Sequence, residues 1–372
     1  MYAGSMDDNA PMNTHNVELE INRSDLANSR IVERPLPELQ PGQVRFHIDR
    51  YAVTSNTVTY AVTGDMLGYW DFFPAPDTGW GHVPAMGWAE IVASCHPEVA
   101  VGGRYYGWFP MARYVDMPVT PTADGLRDEG PHRAAHAPVY RAFVATDRDP
   151  FHQPGEDAED RHALLRGLFV TGFLAEDFFA DNAWFDARRV LVLSASSKTA
   201  IGFAHCARSR GSIEIIGVTS PGNIEFVRTL GVYHKVVAYD DIASLPAEPA
   251  IVSIDMSGNG DVLARVHAHF GDQLRHSMAI GRSHHESPPA ATQMPGPRPA
   301  FFFAPTQVKK RIQDWGPRDY QQRIASALHA FVDSSQAWLT VTRVTGPEAA
   351  EATWRAMHGG RVPPDVGYIV SI

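Results

Sequence analysis

Apolar segments of strand length alternate with segments of helical periodicity through the middle of the chain, and this alternation constrains the fold most. The predicted strands are residues 189–193, 213–218, 234–237, 251–256 and 274–280, and the predicted helices between them are 199–210, 223–230 and 260–270. Strands joined by helical crossovers pair in parallel and form a doubly wound sheet with helices on both faces. The sequence therefore predicts an α/β domain.

The chain before this domain has a different pattern. Short β-rich runs separated by Pro and Gly extend from about 17 to 116, which indicates a β-dominated first domain. Residues 120–159 are rich in Pro, Asp, His and Arg, so they are predicted to connect the domains, with one strand at 140–145. Helical spacing starts at 161, and a helix at 320–331, strands at 339–344 and 367–371 and a helix at 347–358 complete the prediction.

Composition excludes several classes of protein. The formal net charge is -10 and the 32 Lys and Arg residues are scattered, so no basic surface for nucleic acid is expected. No run of 18 apolar residues and no signal-peptide pattern occurs, so we expect no membrane association. The two cysteines, Cys95 and Cys206, are far apart, which excludes a disulfide framework and favours a cytoplasmic location.

The turn after the strand at 189–193 is a candidate binding site. Ser196, Ser197, Lys198 and Thr199 lead from this strand into a helix whose first amides have no partner within the helix. Such a helix start attracts anions. The segment departs from G-x-G-x-x-G, because only Gly202 remains of the glycines. A strand-to-helix turn without a ligand is the alternative.

The next strand bears on which nucleotide could bind. It ends in Thr219 and Ser220, where NAD-binding proteins commonly carry an acidic residue for the ribose hydroxyls. Without a carboxylate, a 2'-phosphate meets no repulsion, and Lys198, Asn223 and Tyr239 can supply donors. The pattern favours NADP(H) over NAD(H). The alternative is that the acid is missing because no nucleotide binds.

Several segments together resemble one known superfamily. They are ASSKTAIGFA at 195–204, the stretches 101–118, 217–241 and 252–270, and the end of the chain from 348. The chain resembles the medium-chain dehydrogenase/reductases, in their zinc-independent quinone or enoyl reductase branch, and most closely a bacterial family of unknown function within it. The resemblance implies a GroES-like β-barrel domain and a Rossmann-like cofactor domain.

The resemblance also implies domain limits and an assembly. The GroES-like catalytic domain would span 14–160 with an insertion at 121–155, the Rossmann-like domain would span 161–332, and residues 333–372 would return to the first domain. Homodimers are usual in the superfamily, often through edge strands of the cofactor domains. We therefore expect a homodimer.

By the same resemblance, Asn56 would lie beside the nicotinamide and Tyr60 is a candidate proton donor. Four residues at the ends of two strands would lie near the ribose and nicotinamide: Ser257, Gly258, Ile280 and Gly281. The positions of the superfamily's zinc ligands hold other residues, so no catalytic metal is expected.

The histidines near these segments are not expected to bind a metal. His82 is expected to be a packed or hydrogen-bonded residue, and the sequence His284-His285-Glu286 is expected to be a solvated loop without a metal.

Two functions from different classes follow. The first is a zinc-independent NADP(H)-dependent oxidoreductase that reduces an activated double bond or carbonyl of a small hydrophobic substrate, since aromatic residues are frequent near both candidate segments. The second is a non-redox nucleotide sensor, a partner-binding protein or an enzyme of another class on the same fold. The altered glycine turn motivates the second hypothesis.

Overall fold

The computed structural model describes residues 14–256, 258–280 and 294–372, so Ser257, Gly281, His284, His285 and Glu286 lie outside the described residues. The strands are β1 (His15–Asn22), β2 (Ser29–Pro35), β3 (Gln43–Val53), β4 (Trp80–Gly81), β5 (Pro84–Ser94), β6 (Gly102–Pro110), β7 (Tyr114–Pro121), β8 (Gly125–Asp128), β9 (Ala142–Ala145), β10 (Arg189–Leu193), β11 (Glu214–Thr219), β12 (Lys235–Ala238), β13 (Ile251–Asp255), β14 (Leu274–Ala279), β15 (Ala300–Phe301), β16 (Thr340–Thr345) and β17 (Val366–Ser371). The α-helices are α1 (Ser55–Val62), α2 (Gly64–Leu67), α3 (Pro138–Arg141), α4 (Glu156–Asp181), α5 (Lys198–Arg210), α6 (Ile224–Thr229), α7 (Gly260–Phe270), α8 (Ala304–Trp315), α9 (Pro317–Ser335) and α10 (Pro347–His358).

Six antiparallel strands close into a barrel. Their order is β3-β5-β6-β9-β8-β7, and β7 pairs back with β3. The last two strands, β16 and β17, extend the sheet from β3, while β2, β1 and β4 form a small separate sheet. Apolar side chains from alternate positions, among them Phe46, Phe109 and Phe143, fill the interior. The predicted GroES-like barrel is confirmed.

The second sheet is parallel throughout, with the order β12-β11-β10-β13-β14-β15. Strand β10 lies in its centre, and all five of its residues are buried. This arrangement explains why residues 189–193 are continuously apolar apart from Arg189, since a central parallel strand is covered on both faces. The predicted α/β, Rossmann-like sheet is confirmed.

Helix α4 crosses α5 at very short range. A Cβ added to Gly172 would lie 2.7 Å from the backbone atoms Phe203 N and Thr199 O, so only glycine permits this approach. A Cβ on Gly202 would lie 3.3 Å from Phe169 Cα. Gly202 therefore serves the contact between two helices rather than the helix–strand contact that its place in the motif suggests.

The connecting segment differs most from expectation. Residues 121–155 supply β8 and β9, two of the six barrel strands, so this segment is part of the barrel rather than an appended insertion. The strand expected at 140–145 is observed as β9, and only its first two residues belong to a short helix, α3. Pro138 at the start of α3 fixes a helical φ, which the period-2 pattern did not reveal.

Two helices also differ from the sequence prediction. Helix α4 begins at Glu156, five residues earlier than expected, with Glu156, Asp157 and Glu159 in its first turn where the helix dipole favours acids. Helix α8 was not predicted. Within the described part of the chain, no helix combines the length and apolarity that crossing a bilayer requires.

Candidate functional site

The turn between β10 and α5 is built from small polar residues. Ser194 has a φ of 57°, in the left-handed region that favours glycine. Ser197 is the N-cap of α5, and its side chain accepts a hydrogen bond from Ala200 N. The remaining first-turn amides have no partner within the helix. The turn therefore has the geometry of an anion site, with a serine in the position of the first glycine.

Hydroxyl and amide groups from the next strand meet this turn. Asn223 Nδ2 donates to Ser196 Oγ at 3.1 Å, and Thr219 Oγ1 donates to the same oxygen at 3.4 Å. Ser220 caps the turn that contains Asn223, whose backbone N–H donates to Ser220 O. Four of the predicted residues thus lie together at the carboxyl edge of β10 and β11, where doubly wound sheets bind ligands.

Tyr239 completes this edge from β12. Its phenol is hydrogen-bonded to Ser194, and burial, with Asp255 nearby, raises the pKa of Tyr239 to about 12. Asp255 ends β13. It was not predicted as a site residue, although its D-x-x-G spacing from Gly258 could have indicated it. Asp255 Oδ1 accepts from Gly258 N at 3.2 Å, and Asp255 O accepts from Ile280 N. Gly258 and Ile280 therefore lie beside the same strand end.

Lys198 has two backbone partners in the structure. Its Nζ donates to Val366 O at 2.9 Å and to Pro364 O at 3.1 Å, at the start of β17. Strand β17 belongs to the sheet that includes the barrel. The role of Lys198 as a donor to a 2'-phosphate stays a prediction. Thr199, next to it, keeps its place in the first turn of α5.

The second candidate cluster lies beyond β3. Thr54 caps α1 through a capping box with Thr57, which fixes the first turn that carries Asn56. Asn56 Nδ2 donates to Tyr60 Oη, one helical turn later. Burial, with Tyr69 and Tyr140 nearby, raises the pKa of Tyr60 well above its usual value, and the bond from Asn56 only partly opposes it. The phenol therefore keeps its proton.

An aromatic wall surrounds Tyr60. Its ring centroid lies 4.7 Å from that of Tyr69 and 5.1 Å from that of Trp108. Tyr140 contacts both of these rings, and the Tyr69 and Tyr140 hydroxyls are 3.4 Å apart. The half-buried rings of Tyr69, Trp108 and Tyr140 would form one side of an apolar pocket.

The two clusters are joined through β17. This strand pairs antiparallel with β3 so that Tyr368 lies opposite Val53, three residues before Asn56. The carbonyl of Val366, two residues before Tyr368, accepts from Lys198. The N-termini of α1 and α5 therefore both lie near the start of β17. The fold thus places the turn after β10 and the first turn of α1 near the same end of β17.

A family model described as a protein of unknown function (DUF2855) matches residues 51–363. The chain belongs to this family. The comparison with curated proteins gives no match. The match extends from β3 to the segment before β17 and so includes every predicted site residue from Asn56 to Gly281.

Solved structures with a similar fold include an enoyl reductase and an oxidoreductase in complex with NADP. The CurK enoyl reductase has 14% identity and a TM-score of 0.53, over 96% of this chain and 99% of that chain. The yhdH oxidoreductase from Salmonella enterica in complex with NADP has 16% identity and a TM-score of 0.51, over 96% and 99%. CurA from Vibrio vulnificus in complex with NADPH has 12% identity and a TM-score of 0.57, over 95% and 98%. The expected resemblance to this reductase branch is confirmed at the level of fold.

Lys198 gives a testable pH dependence. Burial lowers the pKa of Lys198 from 10.5 to about 8, while Asp365 acts against this shift. Below pH 8 the amine is protonated in both states and its burial costs stability; between pH 8 and 10.5 the unfolded chain binds more protons, so this cost disappears as pH rises. The free energy of unfolding of the wild type should gain up to about 3 kcal/mol relative to Lys198→Met over that interval.

Urea denaturation at a series of pH values measures this difference. Lys309→Met, which removes an exposed lysine on α8, is the control and should keep the slope of the wild type. Equal slopes for the wild type and Lys198→Met would contradict the buried position of this amine.

Proposed function

We propose that this chain is an NADP(H)-dependent reductase that acts on an activated double bond or carbonyl of a small hydrophobic substrate, without a catalytic metal. The observation that carries the proposal is the hydroxyl and amide cluster at the carboxyl edge of β10 and β11, with no acid at the end of β11. Two of the solved structures with a similar fold contain NADP or NADPH, and they support the fold of a cofactor domain but no particular substrate. A cytoplasmic location remains part of the same proposal.

The residues at this edge fit the group that the fold implies. Ser196, Ser197 and Thr199 would hold the diphosphate at the start of α5, because unpartnered amides and hydroxyls are donors. Four polar residues would contact the adenosine ribose and its phosphate: Thr219, Ser220, Asn223 and Tyr239. Gly258 and Ile280 would adjoin the ribose and nicotinamide, as Ser257 and Gly281 are also expected to do. A bound reduced nicotinamide supplies a hydride.

The chain's own groups would control the proton and the water. Tyr60 holds a proton on its phenol oxygen, and Asn56 orients that oxygen through its amide. The rings of Tyr69 and Trp108 cover the same phenol from two sides and exclude water from it. A carbonyl oxygen or α-carbon placed against Tyr60 would receive the proton, as general acid catalysis requires.

Cofactor choice is tested with Ser220→Asp. A carboxylate at the end of β11 would repel a 2'-phosphate but accept bonds from ribose hydroxyls. Fluorescence titration of the wild type should show micromolar binding of NADPH and weaker binding of NADH. Ser220→Asp should weaken NADPH binding at least tenfold and change NADH binding by less than threefold.

Ser220→Ala separates charge from the loss of the hydroxyl, and it should retain the preference for NADPH. No binding of either dinucleotide by the wild type would overturn the proposed function.

Turnover is tested with Asn56→Ala and Tyr60→Phe. With a panel of enones and quinones, both variants should lower kcat at least tenfold, since general acid catalysis contributes about 10²-fold or more. The Kd for NADPH should change much less than kcat, because the cluster at the ends of β10 and β11, which contains neither side chain, would supply most contacts with the dinucleotide. Thr59→Ala, which changes a neighbouring half-buried hydroxyl on α1, is the control and should keep wild-type turnover.

Unchanged turnover in Asn56→Ala would remove this residue from the proposal. Tight NADPH binding without oxidation by any member of the panel would favour the second hypothesis, a non-redox nucleotide sensor on the reductase fold. The observation that favours this second hypothesis is Ser194, which adopts a left-handed conformation where the motif has a glycine.

We also propose a homodimer through the edge of the parallel sheet. Strand β15 is the outermost strand, and Phe301 and Phe303 beside it are 67% and 51% exposed. Exposed apolar side chains at a sheet edge are typical of an interface.

Light scattering coupled to size exclusion tests the dimer. The wild type should elute at twice the 40.9 kDa chain mass, and Phe301→Glu should elute as a monomer. Val101→Glu changes an equally exposed residue on the barrel side and should leave the dimer intact. A dimeric Phe301→Glu variant would rule out this edge.

A further inference from the structure

The small sheet of β1, β2 and β4 holds a buried group of carboxylates and one histidine that the proposed reductase chemistry does not use. Glu18 and Glu20 project from the same face of β1, and His82 follows β4 directly. The Glu20 side chain is fully buried, and those of His82 and Glu18 are 8% and 14% exposed. Ionisable groups this deeply buried need a compensating partner.

The hydrogen bond at one ring nitrogen fixes the orientation of His82. Its Nδ1 lies 3.1 Å from Phe73 O, and a carbonyl can only accept, so Nδ1 carries the proton and donates. In a neutral imidazole, Nε2 then carries no proton and has a free lone pair. A backbone carbonyl on one nitrogen is the usual support for a histidine whose other nitrogen binds a metal.

The Nε2 atom faces two carboxylate oxygens. It lies 3.4 Å from Glu18 Oε2 and 3.8 Å from Glu20 Oε1. Among the described residues, His82 Nε2 has no hydrogen-bond partner, and Glu20 Oε1 forms an ion pair with Arg34. Three atoms with lone pairs thus converge in a buried place, where a bound cation would be stabilised.

The spacing fits a metal ion better than a direct hydrogen bond. Hydrogen bonds from nitrogen to oxygen span about 2.7–3.2 Å, which is shorter than both distances. Two ligands on a tetrahedral zinc, each about 2.0–2.1 Å from the metal, lie roughly 3.3 Å apart. All three candidate atoms lie within 4.8 Å of one another.

The neighbouring charged side chains leave the cluster with a net negative charge. Arg34 contacts both Glu18 Oε2 and Glu20 Oε1, at 2.5 and 2.8 Å, and Arg30 pairs with the other oxygen of Glu20. Asp77 adds a third carboxylate to these two guanidinium groups. The cluster therefore carries one excess negative charge when His82 is neutral. Carboxylate oxygens can accept from Arg34 on one lone pair and bind a metal on the other.

We propose that Glu18, Glu20 and His82 bind one divalent transition-metal ion of the zinc class, with Arg34 as the supporting contact. Two oxygens and one imidazole nitrogen suit zinc, and the fourth position would hold water. The ion would tie β1 to the β4–β5 connection and so stabilise the small sheet. This role is structural and independent of the proposed reductase activity.

Zinc titration of the full chain, without a histidine tag and after treatment with chelator, tests the proposal. The wild type should bind one zinc per chain by competition with a chromophoric chelator, and its thermal midpoint should rise. His82→Gln and Glu20→Gln should each weaken zinc binding at least tenfold and lose the thermal shift, because each removes a ligand. The double variant His284→Gln/His285→Gln is the matched control and should bind as the wild type does.

Cobalt provides a measurement that needs no variant. Co²⁺ added to the wild type should give the visible absorption of a four-coordinate ion, and zinc should abolish it. Zinc binding that is equal in the wild type and His82→Gln would overturn the proposal. The absence of both zinc binding and a cobalt spectrum in the wild type would also overturn it, and the compensating charge would then be a proton on His82.

Discussion

The position of the site depends on the contact between α4 and the two sheets. The second half of α4 lies on α5 at a distance that only Gly172 allows, and α5 begins at the candidate anion site. The first half packs against the barrel strands β3, β5 and β17. A helix in contact with both parts of the fold sets how they lie relative to each other. Any side chain at 172 would push α5, and with it the serine turn, away from the barrel.

Ion pairs fix the other end of α4. Arg50 from β3 binds both Glu159 and Asp160 at 2.7 Å, and Arg104 from β6 also binds Glu159. Burial acts to raise the pKa of Glu159, but hydrogen bonds from Arg104 and His152 outweigh it and lower the pKa. At Asp160 burial prevails and raises the pKa despite Arg343 and Arg50. Such pairs contribute more to a defined geometry than to net stability, since desolvation offsets much of their attraction.

The sequence predicts the parts of this structure that depend on periodicity. Strand β10 and helix α7 were predicted with their observed bounds, or nearly so, because apolar periodicity reflects burial. Strand β8 was hidden in a polar segment because its four residues are too few for a period to emerge, whereas β9 lies within the strand predicted at 140–145. The close approach of α4 to α5 could not be predicted either, because nothing in the sequence distinguishes Gly172 from any other glycine in a helix. The partners of Lys198 could not be predicted, because the carbonyls of Pro364 and Val366 lie 166 and 168 residues away along the chain.

The serine turn shows how the site can differ from its motif and keep its geometry. A non-glycine residue at φ 57° costs about 1–2 kcal/mol, and Ser194 adopts it in a buried turn. Its contact with the Tyr239 phenol and the backbone bond from Ser197 N to Ser194 O hold that conformation. Glycine would leave a bare backbone, whereas the serines add hydroxyls at the same edge. The strain is therefore consistent with a turn that binds its ligand through side-chain oxygens as well as amides, which is the feature on which cofactor preference would depend.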